Sequence, residues 1–184
     1  MWHLISETYK RWRHTRGYGV HSPFAYSLVM GVVRPGRKYG HYGYEKIDNA
    51  LERTSLPHSR REARTLLRLA AFLDVRSAFL PNDDRTSPFL TALRAANSRM
   101  AVTSALSAAS DCQLICSTAD YIPLDTLRKL LTEPGRIIAL RNAPEGWRDR
   151  LFDTLDKGLM LYGRHNILLI SRTGMQKVSY SISI

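Results

Sequence analysis

Three groups of residues in this chain have the types and spacing to do chemistry. Asp83 and Asp84 stand side by side in Pro81-Asn82-Asp83-Asp84-Arg85-Thr86, just after a short apolar run. Adjacent carboxylates suit a metal site or paired acid–base work. Adjacent acids after a strand more often serve as a turn and as favourable charge at a helix start. His14 and His21 flank a glycine-rich loop, where His21 and Arg16 offer a landing place for an anion. Ser22 adjoins His21, but a serine placed before a proline is better explained as a helix cap than as a nucleophile. Lys10, Arg11, Arg13 and Arg16 interleave with Trp2, Tyr9, Trp12 and Tyr18. That mixture contacts phosphates and stacks on RNA bases, and a solvated face on a docked helix explains it equally well. His41, His58 and His165 show no metal-ligand spacing, and neither a P-loop nor a nucleophile elbow is found in the sequence.

Cys112 and Cys116 lie four apart, on what reads as one strand. Residues i and i+4 of a strand face the same way but sit roughly 13 Å apart, beyond the reach of a disulfide. Two buried thiols in a reducing compartment are expected, and too few ligands stand nearby for zinc.

The elements that must position these residues follow from periodicity. Leu66, Leu67, Leu69, Ala70 and Leu73 recur at helical spacing up to Asp74; Ser77–Leu80 reads as a strand, and Ser87–Ala96 as helix again. A strand-to-helix turn of this kind is where an open α/β sheet binds its ligand. Ser22 and Pro23 start a helix carrying Phe24, Leu28 and Val32 on one face, and residues 1–16 form an amphipathic helix whose aromatics could dock on the domain. Leu124, Leu127, Leu130 and Leu131 make one later helix; Trp147, Leu151, Phe152 and Leu155 make another, ending at Gly158. Leu159–Tyr162 and Ile167–Ile170 read as strands. The tail alternates Val178, Tyr180, Ile182 and Ile184 against Ser179, Ser181 and Ser183, which predicts a half-buried strand, antiparallel and near a sheet edge.

The 184 residues suit one domain with a real core, and 44% hydrophobic with 23% charged residues is an ordinary globular balance. A net charge of +11 favours polyanionic partners, nucleic acid or an anionic membrane surface. No apolar run approaches a membrane span, and the N-terminus lacks a secretory apolar core, so a cytoplasmic protein is expected.

The segment Gly19-Val20-His21-Ser22-Pro23-Phe24-Ala25-Tyr26-Ser27-Leu28, followed by Tyr39–Leu56 with Ile47, Leu51 and Leu56, resembles the N-terminal signature of Bacteroidetes class I S-adenosylmethionine (SAM)-dependent methyltransferases. The likeness is specific over residues 14–56 and continues as element order to the end. It implies that Ser77–Leu80 is the first sheet strand, Arg99–Thr103 the second, Gln113–Ser117 the fourth and Arg136–Leu140 the fifth. The third strand is missing, because the nine residues between Thr103 and Gln113 are too few for a helical crossover.

The resemblance also locates a pocket in degenerate form. Asn82, Asp83 and Asp84 replace the glycine loop on which the methionine moiety would lie. Ser104 replaces the ribose-binding acid. Asp120 is the one acid left after the fourth strand, and Asn142 stands where relatives show acids after the fifth. The predicted fold is therefore an α/β, Rossmann-like methyltransferase-type sandwich with a mostly parallel sheet lacking one strand, an antiparallel C-terminal end and an N-terminal helical extension. It forms one domain over 1–184, with the extension at 1–60 and the core at 61–184. The expected function is that of a degenerate, non-catalytic methyltransferase-like protein acting through a partner or ligand, with no cofactor, no catalytic residue and no metal. Two alternatives are an active SAM-dependent methyltransferase with a rebuilt pocket, and a basic RNA-binding module using Arg11, Arg13 and Arg16.

Overall fold

The computed structural model describes residues 2–34, 43–52, 59–81 and 87–183. Seven strands form one sheet in the order β2-β1-β3-β4-β6-β5-β7: β1 Ser77–Phe79, β2 Ala101–Thr103, β3 Leu114–Thr118, β4 Ile137–Arg141, β5 Gly158–Tyr162, β6 Ile167–Ser171 and β7 Val178–Ser181. The run β2-β1-β3-β4 is parallel, β6 is antiparallel to both β4 and β5, and β7 is parallel to β5. The expected antiparallel C-terminal end is met by β6, but the tail expectation is corrected: the last strand crosses over to pair in parallel with β5. Alternation in the tail reveals a half-buried strand but carries no information about its partner's direction.

Seven helices flank the sheet among the described residues: α1 Trp2–Thr15, α2 Pro23–Leu28, α3 Gly43–Leu51, α4 Ser59–Phe72, α5 Ser87–Ala96, α6 Leu124–Leu131 and α7 Trp147–Thr154. Helix α2 continues as a π-helical turn, Val29–Val33, where a plain α-helix was expected. Between β2 and β3 the described chain holds only a 3-10 turn, Leu106–Asp111, and β2 is left as a sheet edge.

Strand side chains alternate between two cores. Ala78, Leu114, Cys116, Ile137, Leu159, Leu161, Leu168 and Ile170 pack with α2 to α5, whereas Phe79, Ile115, Ile138, Met160 and Leu169 pack with α6 and α7. Burial on both faces explains why these strands read as continuous apolar runs. Helix α2, the π-helical turn and α3 share the first core, through Leu28, Val32 and Ile47. Cys112 precedes β3 and enters the second core, while Cys116 enters the first, so the two thiols do not share a face as expected; both are buried and free.

Ser22 caps α2 as expected: its Oγ accepts from the Ala25 N–H at 3.3 Å, with Pro23 at the first helical position. Phe24 is half-buried. It packs at 6.3 Å from Phe72 and under the Arg172 guanidinium at 4.2 Å. Helix α1 docks by its polar side. Arg11 donates to Ser181 Oγ at 3.3 Å, His14 Nδ1 donates to the Ser181 carbonyl at 3.2 Å, and Thr15 Oγ1 accepts from the Ser183 N–H at 2.9 Å. Tyr9 and Trp12 face solvent instead of docking, and Ser181, on the tail's polar side, is buried beneath α1. Among the described residues no helix is long and apolar enough to cross a membrane.

Candidate functional site

In an open α/β sheet the carboxyl ends of neighbouring parallel strands splay apart and leave a crevice where ligands bind. Here that crevice exists, with about 100 Å³ of room. Its floor comes from adjacent strands: Leu80 just after β1, Cys116 of β3, Ala139 of β4 and Leu168 of β6. Leu66 and Leu69 wall it from α4, because the helical spacing of that segment turns both towards the sheet, and Phe89 closes it from α5.

Among the described residues, the charged groups of the lining are Arg61, Glu62 and Arg141, at the mouth. The Arg141 guanidinium, at the last residue of β4, lies 3.7 Å from the Glu62 carboxylate of α4 and 4.1 Å over the Phe89 ring. Asn166 Nδ2 donates to Glu62 Oε1 at 3.5 Å. Arg61, also at the mouth, donates to the Ser183 carbonyl at 2.7 Å. Burial pushes the Cys116 thiol up to about 12, only partly opposed by Arg141, so the thiol stays protonated and acts as a small apolar wall. Glu62 is already engaged by Arg141. Among the described residues no three His, Cys, Asp or Glu side chains gather to hold a metal. This lining can desolvate an apolar group and orient a polar one beside it.

The residues expected from sequence to surround the site do not converge on it. Ser104 follows β2, Asp120 lies in the turn after β3 and Asn142 follows β4, so all three sit at the carboxyl end of the sheet. Each is exposed, and none lines the crevice. Asp120 and Asn142 follow adjacent strand ends tied by the Ala119 N–H to the Arg141 carbonyl at 3.1 Å. Asn142 adopts φ 54°, a left-handed turn conformation that asparagine tolerates. Asn82, Asp83 and Asp84 lie outside the described residues. His21 and Arg16 are both exposed, but the Arg16 guanidinium lies over Trp12 at 4.2 Å. Of the three candidate nucleic-acid arginines, Arg13 and Arg16 face solvent, whereas Arg11 turns inward onto Ser181.

Sequence reasoning missed Glu62, Phe89 and Arg141 as neighbours. One signal was legible: an arginine ends β4 where the resemblance expects acids, which reverses the charge at that corner. Comparison with family models, with curated proteins and with solved structures finds no match.

Proposed function

We propose that this chain is a degenerate, methyltransferase-like protein that works by binding rather than by methyl transfer. The sequence likeness over residues 14–56 suggests the ancestry. Supporting it, the parallel run β2-β1-β3-β4 is followed by a reversed strand, in the element order on which the likeness rests. The observation that carries the loss of chemistry is the crevice itself. Its room of about 100 Å³ falls well short of the roughly 300–1,000 Å³ of pockets that take drug-sized ligands. An enclosed apolar cavity of about 150 Å³ holds a benzene ring, so this smaller, open crevice takes at most part of one ring or a short branched chain.

The described residues do not fit SAM. Its ribose hydroxyls call for a charged acceptor beyond β2, and the residue there is Ser104. Its sulfonium is a cation, and the charged group at the end of β4 is the Arg141 guanidinium. The Arg141 charge, only partly offset by Glu62, disfavours a sulfonium beside it. What remains is an apolar slot with an arginine–glutamate pair at its lip, a recognition site for a small apolar group carrying a polar end.

Two measurements test the reading. Calorimetric titration with S-adenosylhomocysteine should show no saturable binding; a dissociation constant in the low micromolar range would establish a rebuilt cofactor site and return the chain to the active methyltransferases. Titration with toluene, followed by methyl NMR, should shift Leu66, Leu69, Leu80 and Leu168 together and saturably. Shifts scattered over the surface, or none, would refute the slot.

A further inference from the structure

The outward side of α1 carries an arrangement that neither the crevice nor the packing of the fold uses. Tyr9 and Trp12, one helical turn apart, are 57% and 46% exposed, and their rings lie nearly parallel, 18° between planes and 6.1 Å between centroids. Each aromatic is followed four residues later by an arginine, the spacing that brings side chains together on a helix. Arg13 lies 5.9 Å over Tyr9, and Arg16 lies 4.2 Å over Trp12. Lys10, next to Tyr9 in sequence, has Glu7 at 3.4 Å as its partner. Asp48, a carboxylate these arginines might have met, is taken by Arg60 and Arg64 of α4.

Aromatic rings of this size are normally turned inward, where they contribute most to stability. Here Arg11, His14 and Thr15 make the docking contacts, and the aromatics are left outside. The hydrogen bonds to Ser181 and Ser183, and His14 edge-on to Tyr180 at 5.4 Å, fix how the helix is rotated on the sheet edge. The stacked pair is thereby held facing solvent on a chain of net charge +11.

We propose that this face of α1 binds single-stranded nucleic acid, with bases stacking against Tyr9 and Trp12 and with Arg13, Arg16 and Lys10 meeting the phosphates. Guanidinium groups held over ring faces still have N–H donors to offer, so each arginine can stay beside its ring while donating to a phosphate. A duplex does not suit the site, because its bases are already stacked on one another and leave these rings nothing to receive. An anionic membrane suits it less well. An interfacial helix buries a broad apolar face, whereas between Ser6 and Arg16 the exposed side chains are polar or charged apart from these two amphipathic aromatics. Base stacking and phosphate contacts are common to RNA and DNA single strands.

The site lies on α1 against β7, the sheet edge opposite β2, and is independent of the crevice. Fluorescence anisotropy with labelled oligouridylate and oligothymidylate, each of about a dozen nucleotides, tests it on the full chain. Binding to both strands is expected at about 50 mM salt, and three phosphate contacts should weaken it roughly 20-fold by about 200 mM. Trp12→Ala should lower affinity at least about fivefold, as loss of one stacked base does. Arg13→Gln with Arg16→Gln should reduce the log–log salt slope by about 1.4. Because these side chains are exposed, circular dichroism and melting should stay as in the parent, which separates lost binding from lost folding. Preference for only one of the two strands would assign the source without changing the site. Absence of binding at low salt, equal affinity in Trp12→Ala, or capture by phosphatidylserine vesicles with no oligonucleotide binding would overturn the proposal.

Discussion

Replacing Arg68 with methionine removes a guanidinium that is only 7% exposed yet serves three oxygens on three elements. Nε donates to the Val32 carbonyl at 2.6 Å, one terminal nitrogen to the Tyr44 hydroxyl at 2.7 Å, and the other to Thr65 Oγ1 at 2.9 Å. The residue thus pins the π-helical turn and α3 to α4 on the side of the sheet that walls the crevice. Methionine keeps most of the stem's volume, so the cost falls on the acceptors. Thr65 retains its bond to the Arg61 carbonyl at 2.8 Å, and the half-buried Tyr44 hydroxyl can turn to water. Val32 is fully buried, and its carbonyl loses a charged donor. An orphaned buried acceptor costs about 1–3 kcal/mol, so roughly 2 kcal/mol is expected for Arg68→Met. In a chain of this length that lowers the melting temperature by about 4–8 °C. Arg68→Lys should cost at least as much, because one ammonium group cannot span the three acceptors. Urea unfolding monitored by tryptophan fluorescence provides the measurement, with the denaturant slope unchanged. A shift below about 0.5 kcal/mol, or a gain in stability, would show that burying the guanidinium costs as much as its hydrogen bonds return, and would refute the clamp.

Two more outcomes follow from local geometry. Gly158 opens β5 at φ 133°, and a Cβ there would run into the Ile170 carbonyl of the paired strand β6. Gly158→Ala should exceed about 4 kcal/mol and leave little folded protein by circular dichroism, whereas Gly135→Ala, at φ 80° with open space around it, should cost only about 1–2 kcal/mol. The Cys116 thiol, ordinarily near 9.0 and raised to about 12 by burial, stays protonated in the fold while the unfolded chain ionises. Its contribution is therefore complete below pH 9.0 and is lost as pH rises towards 12. Stability should fall by about 1.4 kcal/mol per pH unit more in the parent than in Cys116→Ala over that window, and equal slopes in urea titrations would contradict the burial.

The central sheet was legible in the sequence because β1, β3, β4 and β6 are largely buried on both faces and bounded by clear breaks. Ser77, Leu114, Ile137 and Ile167 each begin a β-strand within one or two residues of the apolar run that announces it. The helix cap at Ser22 was legible for a similar reason: a serine followed by proline has few other uses. Direction and contact were not. The tail's pairing with β5 depends on a crossover past β6, which no period of two encodes. The outward turn of Tyr9 and Trp12 depends on Ser181 and Ser183, more than 160 residues away in sequence. Glu62 and Arg141 meet only because α4 crosses the end of β4. Cys112 was assigned to a strand that starts at Leu114, and that two-residue error put its side chain on the wrong face.

A short chain of hydrogen bonds runs between the crevice and the α1 face. Arg61 at the crevice mouth holds the Ser183 carbonyl at 2.7 Å, and the Ser183 N–H reaches Thr15 at 2.9 Å. Each link is a single hydrogen bond, worth about 1 kcal/mol net. Coupling carried by this chain is thus bounded at roughly fivefold in affinity. An effect of that size cannot create binding at one site from occupancy of the other. The slot in the sheet and the stacked aromatics on α1 therefore stand or fall separately, and a protein that refuses S-adenosylhomocysteine would still be expected to take up an oligonucleotide.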